Sequence, residues 1–241
     1  MAEPTIPLFR DDPYLATCEA TVVGHAGNGA ILDRTIFYAA GGGQPGDIGR
    51  FETETSGPIS VSDTIYGEDR TTIVHVLAEG TSLPAIGSTV SMALDWDRRL
   101  RHMRMHSALH LLTAALPYPV TGGQIGAEES RLDFDIPDAG LDKAEITDAV
   151  NRLIEADHAI TQEWITDAEL DANPSLVKTM SVKPPRGSGQ VRLVRIGGDV
   201  DLQPCGGTHV RSTGEIGPIL ISKIEKKGKQ NRRVRLKLDE L

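Results

Sequence analysis

The stretch Asp95-Trp-Asp-Arg-Arg-Leu-Arg-His-Met-Arg-Met-His-Ser-Ala-Leu-His-Leu-Leu-Thr-Ala-Ala-Leu-Pro117 divides the sequence in two. Leu100, Met103, Ala108, Leu111, Leu112 and Ala115 recur in it on a roughly helical period, which Pro117 ends. Asp95 or Asp97 offers an N-cap. Upstream the pattern is different. Ala16–Gly24, Ala30–Tyr38, Ile48–Glu54, Ile59–Tyr66, Thr71–Ala78 and Thr89–Leu94 are short β-prone runs, most of them separated by Gly, Pro, Asn or Asp clusters. Six short strands without a convincing helix predict a small barrel-like β domain, or a sandwich, over residues 1–95.

Downstream, residues 96–241 predict an α+β domain with two main helices on a mostly antiparallel sheet. The second helix is Asp142–Ala159, with Ile146, Val150, Leu153 and Ile154 on one face. Val120–Ala127, Arg131–Ile136, Ile160–Ile165, Val191–Ile196, Ile216–Glu225 and Arg233–Leu238 read as extended. A short helix is expected over Asp167–Ala172, and a loop over Lys183–Gln190.

Composition bounds the rest. At 241 residues, 39% hydrophobic and 24% charged, the chain can bury a core without staples. Aromatics are only 4%, so that core is mostly aliphatic. Two cysteines cannot make a disulfide framework. No apolar run approaches a membrane span, and residues 1–10 lack the basic and apolar blocks of a secretory signal. A cytoplasmic location and no membrane partner are expected; no stable protein partner is readable.

The net charge of −9 argues against a protein coated in nucleic acid. Yet Lys223–Lys237 carries eight bases against one acid, a local +7 that leaves −16 for the remainder. Phosphate affinity follows local basic density. A β-hairpin turn there would display Lys226, Lys227, Arg232 and Arg233 together. Arg98, Arg99, Arg101 and Arg104 form a smaller basic group.

Two residue pairs carry chemistry. His106 and His110 stand four apart, on one helix face one turn apart, with His102 a turn earlier. Cys205-Gly-Gly-Thr-His209 adds a thiolate and an imidazole on a glycine-bearing turn. Four of the chain's nine Cys and His residues thus fall in two tight pairs, and three His with one Cys suit zinc. The set leaves Zn²⁺ with a residual charge of +1, which favours a nearby oxygen donor. The helix is not that of a zinc protease, because Ser107 stands where H-E-x-x-H needs its general base. An activated ester is a better target than an amide. Ala40-Gly-Gly-Gly-Gln-Pro-Gly-Asp47 is a loop whose backbone can approach a ligand closely, or a tight barrel corner.

His106-Ser-Ala-Leu-His110-Leu-Leu and Cys205-Gly-Gly-Thr-His209-Val resemble the two zinc motifs of the alanyl-tRNA editing domain. Gln124-Ile-Gly126, Arg131–Asp135, Thr213–Gly217 and Lys226–Arg233 are similar to the segments between and after them, and Ala40–Asp47 to the glycine motif of the preceding domain. Without an aminoacylation domain, the chain resembles the free-standing AlaX-type editing proteins of the medium-length group, over roughly residues 14–238.

The resemblance implies hydrolysis of mischarged Ser-tRNA(Ala), with Gly-tRNA(Ala) as a further candidate. It also implies one Zn²⁺ per chain, held by His106, His110, Cys205 and His209. Ser107, Thr208 and Gln124 are candidates to contact the serine hydroxyl; Gly41, Gly42, Gly43 and Gln44 are candidates to hold the tRNA 3′ end or to narrow the amino-acid pocket. The chain departs from the family at Ser107, often Thr there, and at Ala127, often Ser. Two alternatives stand beside this: editing of a seryl ester on tRNA(Thr), and a non-catalytic RNA-binding module with a structural zinc.

Overall fold

A computed structural model describes residues 3–53, 57–137, 140–180 and 189–239. The chain divides into two compact units, Met1–Leu100 and Arg101–Leu241. The first turn of a helix separates this boundary from the expected one after residue 95.

The first unit holds β1 (Ile6–Pro7), β2 (Thr17–Ala26), β3 (Gly29–Leu32), β4 (Arg34–Thr35), β5 (Gly49–Glu52), β6 (Ile59–Tyr66), β7 (Ile73–Leu77) and β8 (Thr89–Leu94). Six of these close into a barrel in the order β2-β3-β7-β6-β5-β8, as the runs of short strands led one to expect. Register shifts at Val22/Gly24 and Val61/Asp63 bend β2 and β6, which helps a small sheet close on itself. Val22, Leu32, Phe37, Phe51, Val61, Leu77, Val90 and Met92 fill the interior. The run Ala30–Tyr38 is not one strand: it breaks at Asp33, which turns back so that its carboxylate accepts from the Thr21 N–H at 2.8 Å.

His75 lies fully buried in this core, against Phe37 and Phe51. Its ring nitrogens meet Thr35 Oγ1 at 2.7 Å and the Ala30 carbonyl at 3.1 Å. Burial pushes its pKa from 6.5 down to about 4, against the opposing pull of the Ala30 carbonyl. The unfolded chain therefore takes up a proton near 6.5 that the folded chain refuses until about 4. The stability that His75 contributes is whole above pH 6.5 and is lost as pH falls through that window, by roughly 3 kcal/mol in all. Urea unfolding at pH 7.5 and 4.5 will show a steeper loss for the native chain than for His75→Gln. Equal losses would contradict the assignment.

The glycine-rich segment is closed at both ends. The Tyr38 N–H donates to Asp47 Oδ2 at 2.6 Å, and the Asp47 N–H to the Tyr38 carbonyl at 2.9 Å. Between them Gly41 and Gln44 exchange two backbone hydrogen bonds of 2.9 and 3.0 Å around Gly42 and Gly43. Both glycines have φ above zero, +58° and +86°, as a two-residue reverse turn of this hand requires. Gln44 is buried and Gly42 is open to solvent.

α1 (Trp96–Ala115) begins in the first unit and supplies most of its length to the second. The Asp95 carboxylate accepts from the Arg98 N–H at 3.1 Å, so Asp95 caps the helix. The second unit continues with β9 (Val120–Gln124), β10 (Ser130–Asp135), α2 (Lys143–Glu155), β11 (Ile160–Thr166), α3 (Asp167–Ala172), β12 (Gln190–Ile196), β13 (Asp201–Pro204), β14 (Ile219–Lys226) and β15 (Asn231–Leu238). It is α+β, and its strands fall into two antiparallel sheets, ordered β14-β15-β10-β9 and β11-β12-β13.

The α2 helix buries Ile146, Val150 and Ile154, and Asn151 clasps the Ile219 N–H and C=O at 2.9 Å each, fixing it to β14. The short helix α3 forms where expected, with a Thr166–Glu169 capping box. Strand β13 was not expected, since Asp and Pro are poor strand formers; its pairing with β12 makes it one. The loop expected over Lys183–Gln190 lies outside the described residues except for its last two. No helix among the described residues is long and apolar enough to cross a membrane.

Candidate metal centre

Four side chains from two elements converge in the second unit. His106 and His110 project from one face of α1, and Cys205 and His209 from the loop after β13. One ligand atom from each lies within 4.8 Å of every other. Cys205 Sγ stands 3.5 Å from His106 Nε2 and 3.3 Å from His209 Nε2. A tetrahedral zinc with Zn–S near 2.3 Å and Zn–N near 2.05 Å sets an S···N separation of about 3.6 Å. The set therefore fits Zn²⁺ in number and donor type, and its two sulfur–nitrogen distances match that edge.

The loop is shaped for this task. Arg192 Nη1 donates to the carbonyls of Cys205 and Gly207 at 2.9 Å each, and so ties both to β12. The Gly207 N–H points at Cys205 Sγ from 3.4 Å. The three histidines are buried and Cys205 is intermediate in exposure.

The outer nitrogens are held as well. His110 Nδ1 lies 2.8 Å from Asp201 Oδ2, and His209 Nδ1 lies 3.1 Å from Ser107 Oγ. Each contact leaves Nε2 for a metal, the usual way a protein fixes the tautomer of a ligand histidine. Asp201 is inaccessible at its carboxylate, receives Gln203 Nε2 at 2.8 Å and is paired with the Lys178 ammonium. Burial raises its pKa, but hydrogen bonds from His110, Lys178 and Gln203 outweigh that and bring it to about 2. Burial likewise opposes ionisation of Cys205, yet His106 and His209 beside it lower its pKa well below the ordinary thiol value. Against its own burial, His110 is raised to about 9 by Asp201 and Cys205. Burial first, then the neighbouring His106, lowers His209 to about 3. A thiolate and a carboxylate thus flank His110 and call for positive charge, which a proton or a metal cation can supply.

Asp201 was not found from the sequence, and no local signal marks it: it lies 91 positions from the histidine it holds. Asp201→Asn should weaken metal affinity by roughly 10- to 100-fold, as read by competition with a chromogenic chelator. Parental affinity in that variant would contradict the role.

The other expected site residues are distributed as follows. Ser107 is fully buried, its hydroxyl also 3.4 Å from the Val210 N–H, so it props His209. Thr208 is buried beside His209. Gln124 is exposed at the end of β9, and its Oε1 accepts from Arg131 Nε at 3.3 Å. His102 is buried and is not among the four converging residues.

The basic hairpin forms with Lys226 opposite Arg232, but it separates the bases expected to be displayed together. Lys226, Lys227 and Lys229 are exposed at the turn. Arg232 is buried, and Arg233 makes a two-point fork on Asp133 at 2.7 and 2.8 Å. Arg235 joins Glu225 and Glu129. The reason is position: β15 is an interior strand, so its arginines meet acids on both neighbouring strands.

Comparison with known proteins places this geometry in a class. The family described as the threonyl and alanyl tRNA synthetase second additional domain matches residues 191–235, the segment with the Cys205–His209 loop. The family described as tRNA synthetases class II (A) matches residues 11–98. The chain is 35% identical, over 241 aligned positions and 95% of each chain, to alanyl-tRNA editing protein AlaX-M of Methanosarcina mazei. It is 36% identical to the protein of that name from Saccharolobus solfataricus, over 95% of this chain and 97% of that one. It is also 36% identical to the alanine–tRNA ligase of Pyrococcus abyssi, over 92% of this chain but 24% of the ligase. The chain belongs to the AlaX-M family of alanyl-tRNA editing proteins.

Proposed function

We propose that the protein hydrolyses the aminoacyl ester of mischarged Ser-tRNA(Ala), with Gly-tRNA(Ala) as the further candidate, and that its centre holds one Zn²⁺. The convergence of His106, His110, Cys205 and His209 within 4.8 Å, in a chain of this family, carries the reading. Bound there, zinc supplies a centre of net charge +1 that attracts an oxygen or amine donor. Asp201 and Ser107 orient two of the imidazoles, and Arg192 holds the loop that presents the sulfur.

Serine exceeds alanine by one hydroxyl, which a synthetase pocket excludes by only about 100-fold. A site that must hydrogen-bond this hydroxyl discriminates by roughly 10⁴-fold, because alanine leaves its polar atoms unpaired. With the Ser107 hydroxyl engaged behind His209, that contact falls to Thr208 and Gln124. The Gly41–Gln44 turn, open at Gly42, is proposed to hold the tRNA 3′ end.

Deacylation of Ser-tRNA(Ala), Gly-tRNA(Ala), Ala-tRNA(Ala) and Ser-tRNA(Thr) by the purified chain tests the proposal. Cleavage of the first with sparing of the third supports it. Preference for Ser-tRNA(Thr) would move the task to that tRNA, and binding without cleavage would leave an RNA-binding module.

The lysines at the hairpin turn are the proposed phosphate contacts, while Arg232 and Arg233 brace the hairpin. Lys226→Ala with Lys227→Ala should raise KM for the aminoacyl-tRNA and reduce the salt slope of binding by about 1 to 2. A small seryl ester should be cleaved at the parental rate. Equal loss on both substrates would mean that the turn supports folding instead.

A further inference from the structure

Trp164 is 46% exposed and is the one aromatic among the exposed large hydrophobic side chains of the described residues. Leaving so much apolar surface in water is costly, and its surroundings indicate what covers it. Trp164 stands on β11, the edge strand of the three-stranded sheet, directly opposite Arg192 on β12. Facing residues of an antiparallel pair project to the same side of a sheet. Following the register, that side also carries Gln162, Val194, Gln203 and Asp201. The opposite side, with Ile165, Val191 and Leu193, is packed on Leu170 of α3.

Thus Trp164 shares a sheet face with Asp201 and Gln203, the residues behind His110. It lies two strand spacings across the sheet from them and is offset along the strands by two residues from Gln203 and four from Asp201, which puts it about 12 and 17 Å away. Arg192 lies between. Its Nη1 holds the carbonyls of Cys205 and Gly207, and its Nε donates to Gln162 Oε1 at 2.7 Å. The guanidinium is therefore fixed next to the aromatic ring's position on the face.

We propose that Trp164 and Arg192 form a stacking platform for an unpaired nucleotide of the RNA 3′ end whose aminoacyl ester enters the metal centre. An indole face and a fixed guanidinium plane are the surfaces on which single-stranded RNA bases stack. The cation also complements the adjoining phosphates, and the platform is continuous with the loop that carries two of the four ligands. The proposal rests on the reading of the substrate as an aminoacyl-tRNA and names how its end is held.

The chain has two tryptophans, so Trp96→Phe leaves Trp164 as the sole indole. In that protein, a short single-stranded RNA ending in ACCA should quench the emission saturably, and a blunt RNA duplex should not. Trp164→Ala should raise KM for Ser-tRNA(Ala) about ten-fold with kcat little changed. Trp164→Phe, which keeps a π face, should recover most of the loss.

Absence of quenching together with an unchanged KM in Trp164→Ala would overturn the platform. Equal quenching by the duplex would do so too, as would a concentration-dependent dimer abolished by Trp164→Ala. Quenching needs no ester. Were no aminoacyl-tRNA cleaved, the proposed activity would fall while the fluorescence still reported on the platform.

Discussion

Cys205→Ala will purify with close to no zinc, and the native chain with about one equivalent. The thiolate is the only anionic donor of the four, and its sulfur lies within 3.5 Å of His106 Nε2 and within 3.3 Å of His209 Nε2. Without it three neutral imidazoles remain, and the residual charge at a bound metal rises from +1 to +2 with no anionic side chain touching it. Ester hydrolysis should fall with metal content. Elemental analysis after purification without chelator measures the first, and the Ser-tRNA(Ala) assay the second. Cys205→Ser, which keeps an oxygen donor but a far less acidic one, should retain little metal at neutral pH. Unchanged metal content in the alanine variant, or none in the native chain, would remove these four residues as a zinc site.

Asp47→Ala will destabilise the first unit by about 3–5 kcal/mol, as breaking a buried ion pair from one side does. Arg99 has no exposed surface, and Asp47 is almost as deeply buried. Arg99 Nε lies 3.2 and 3.0 Å from the two Asp47 oxygens, and its Nη2 also pairs with Oδ2. The remaining donors reach the Pro13 and Ile36 carbonyls at 2.8 and 2.6 Å. Deleting the carboxylate leaves a guanidinium without its counter-ion, away from water, and strips the acceptor from the Tyr38 N–H. The unfolding transition of a unit this size should fall by more than about 10 °C. The double variant Asp47→Ala, Arg99→Met should lose markedly less, since it buries no orphaned charge. Calorimetry on the three chains decides it; a single-variant cost under about 1 kcal/mol would show that water reaches the pair.

The Arg99 case shows where reading the sequence stops. Arg98, Arg99, Arg101 and Arg104 look alike on paper, as one basic cluster at a helix start. In the fold they part. Arg99 is sealed against Asp47, while Arg104 donates to the Ile216 carbonyl at 2.7 Å. The helix period fixes which face each base occupies, but not what a distant segment brings to that face. The eight bases of the C-terminal hairpin behave in the same way. Their number is legible; the capture of Arg233 by Asp133 depends on β15 being interior, which is a property of strand order.

The sequence by itself determined the β-rich first part, a helix starting near Asp95 or Asp97, and the two Cys/His pairs. Those are local facts. Spacing of four on a helix, or within a glycine-bearing turn, sets two side chains on one side whatever the rest of the chain does. Only the tertiary structure decided that the pairs meet at one point, that Asp201 and Ser107 stand behind two of the rings, and that Trp164 shares a sheet face with that outer shell. Each of these joins segments separated by tens of residues. Burial and strand register bring them together, and neither leaves a mark in any short stretch of sequence.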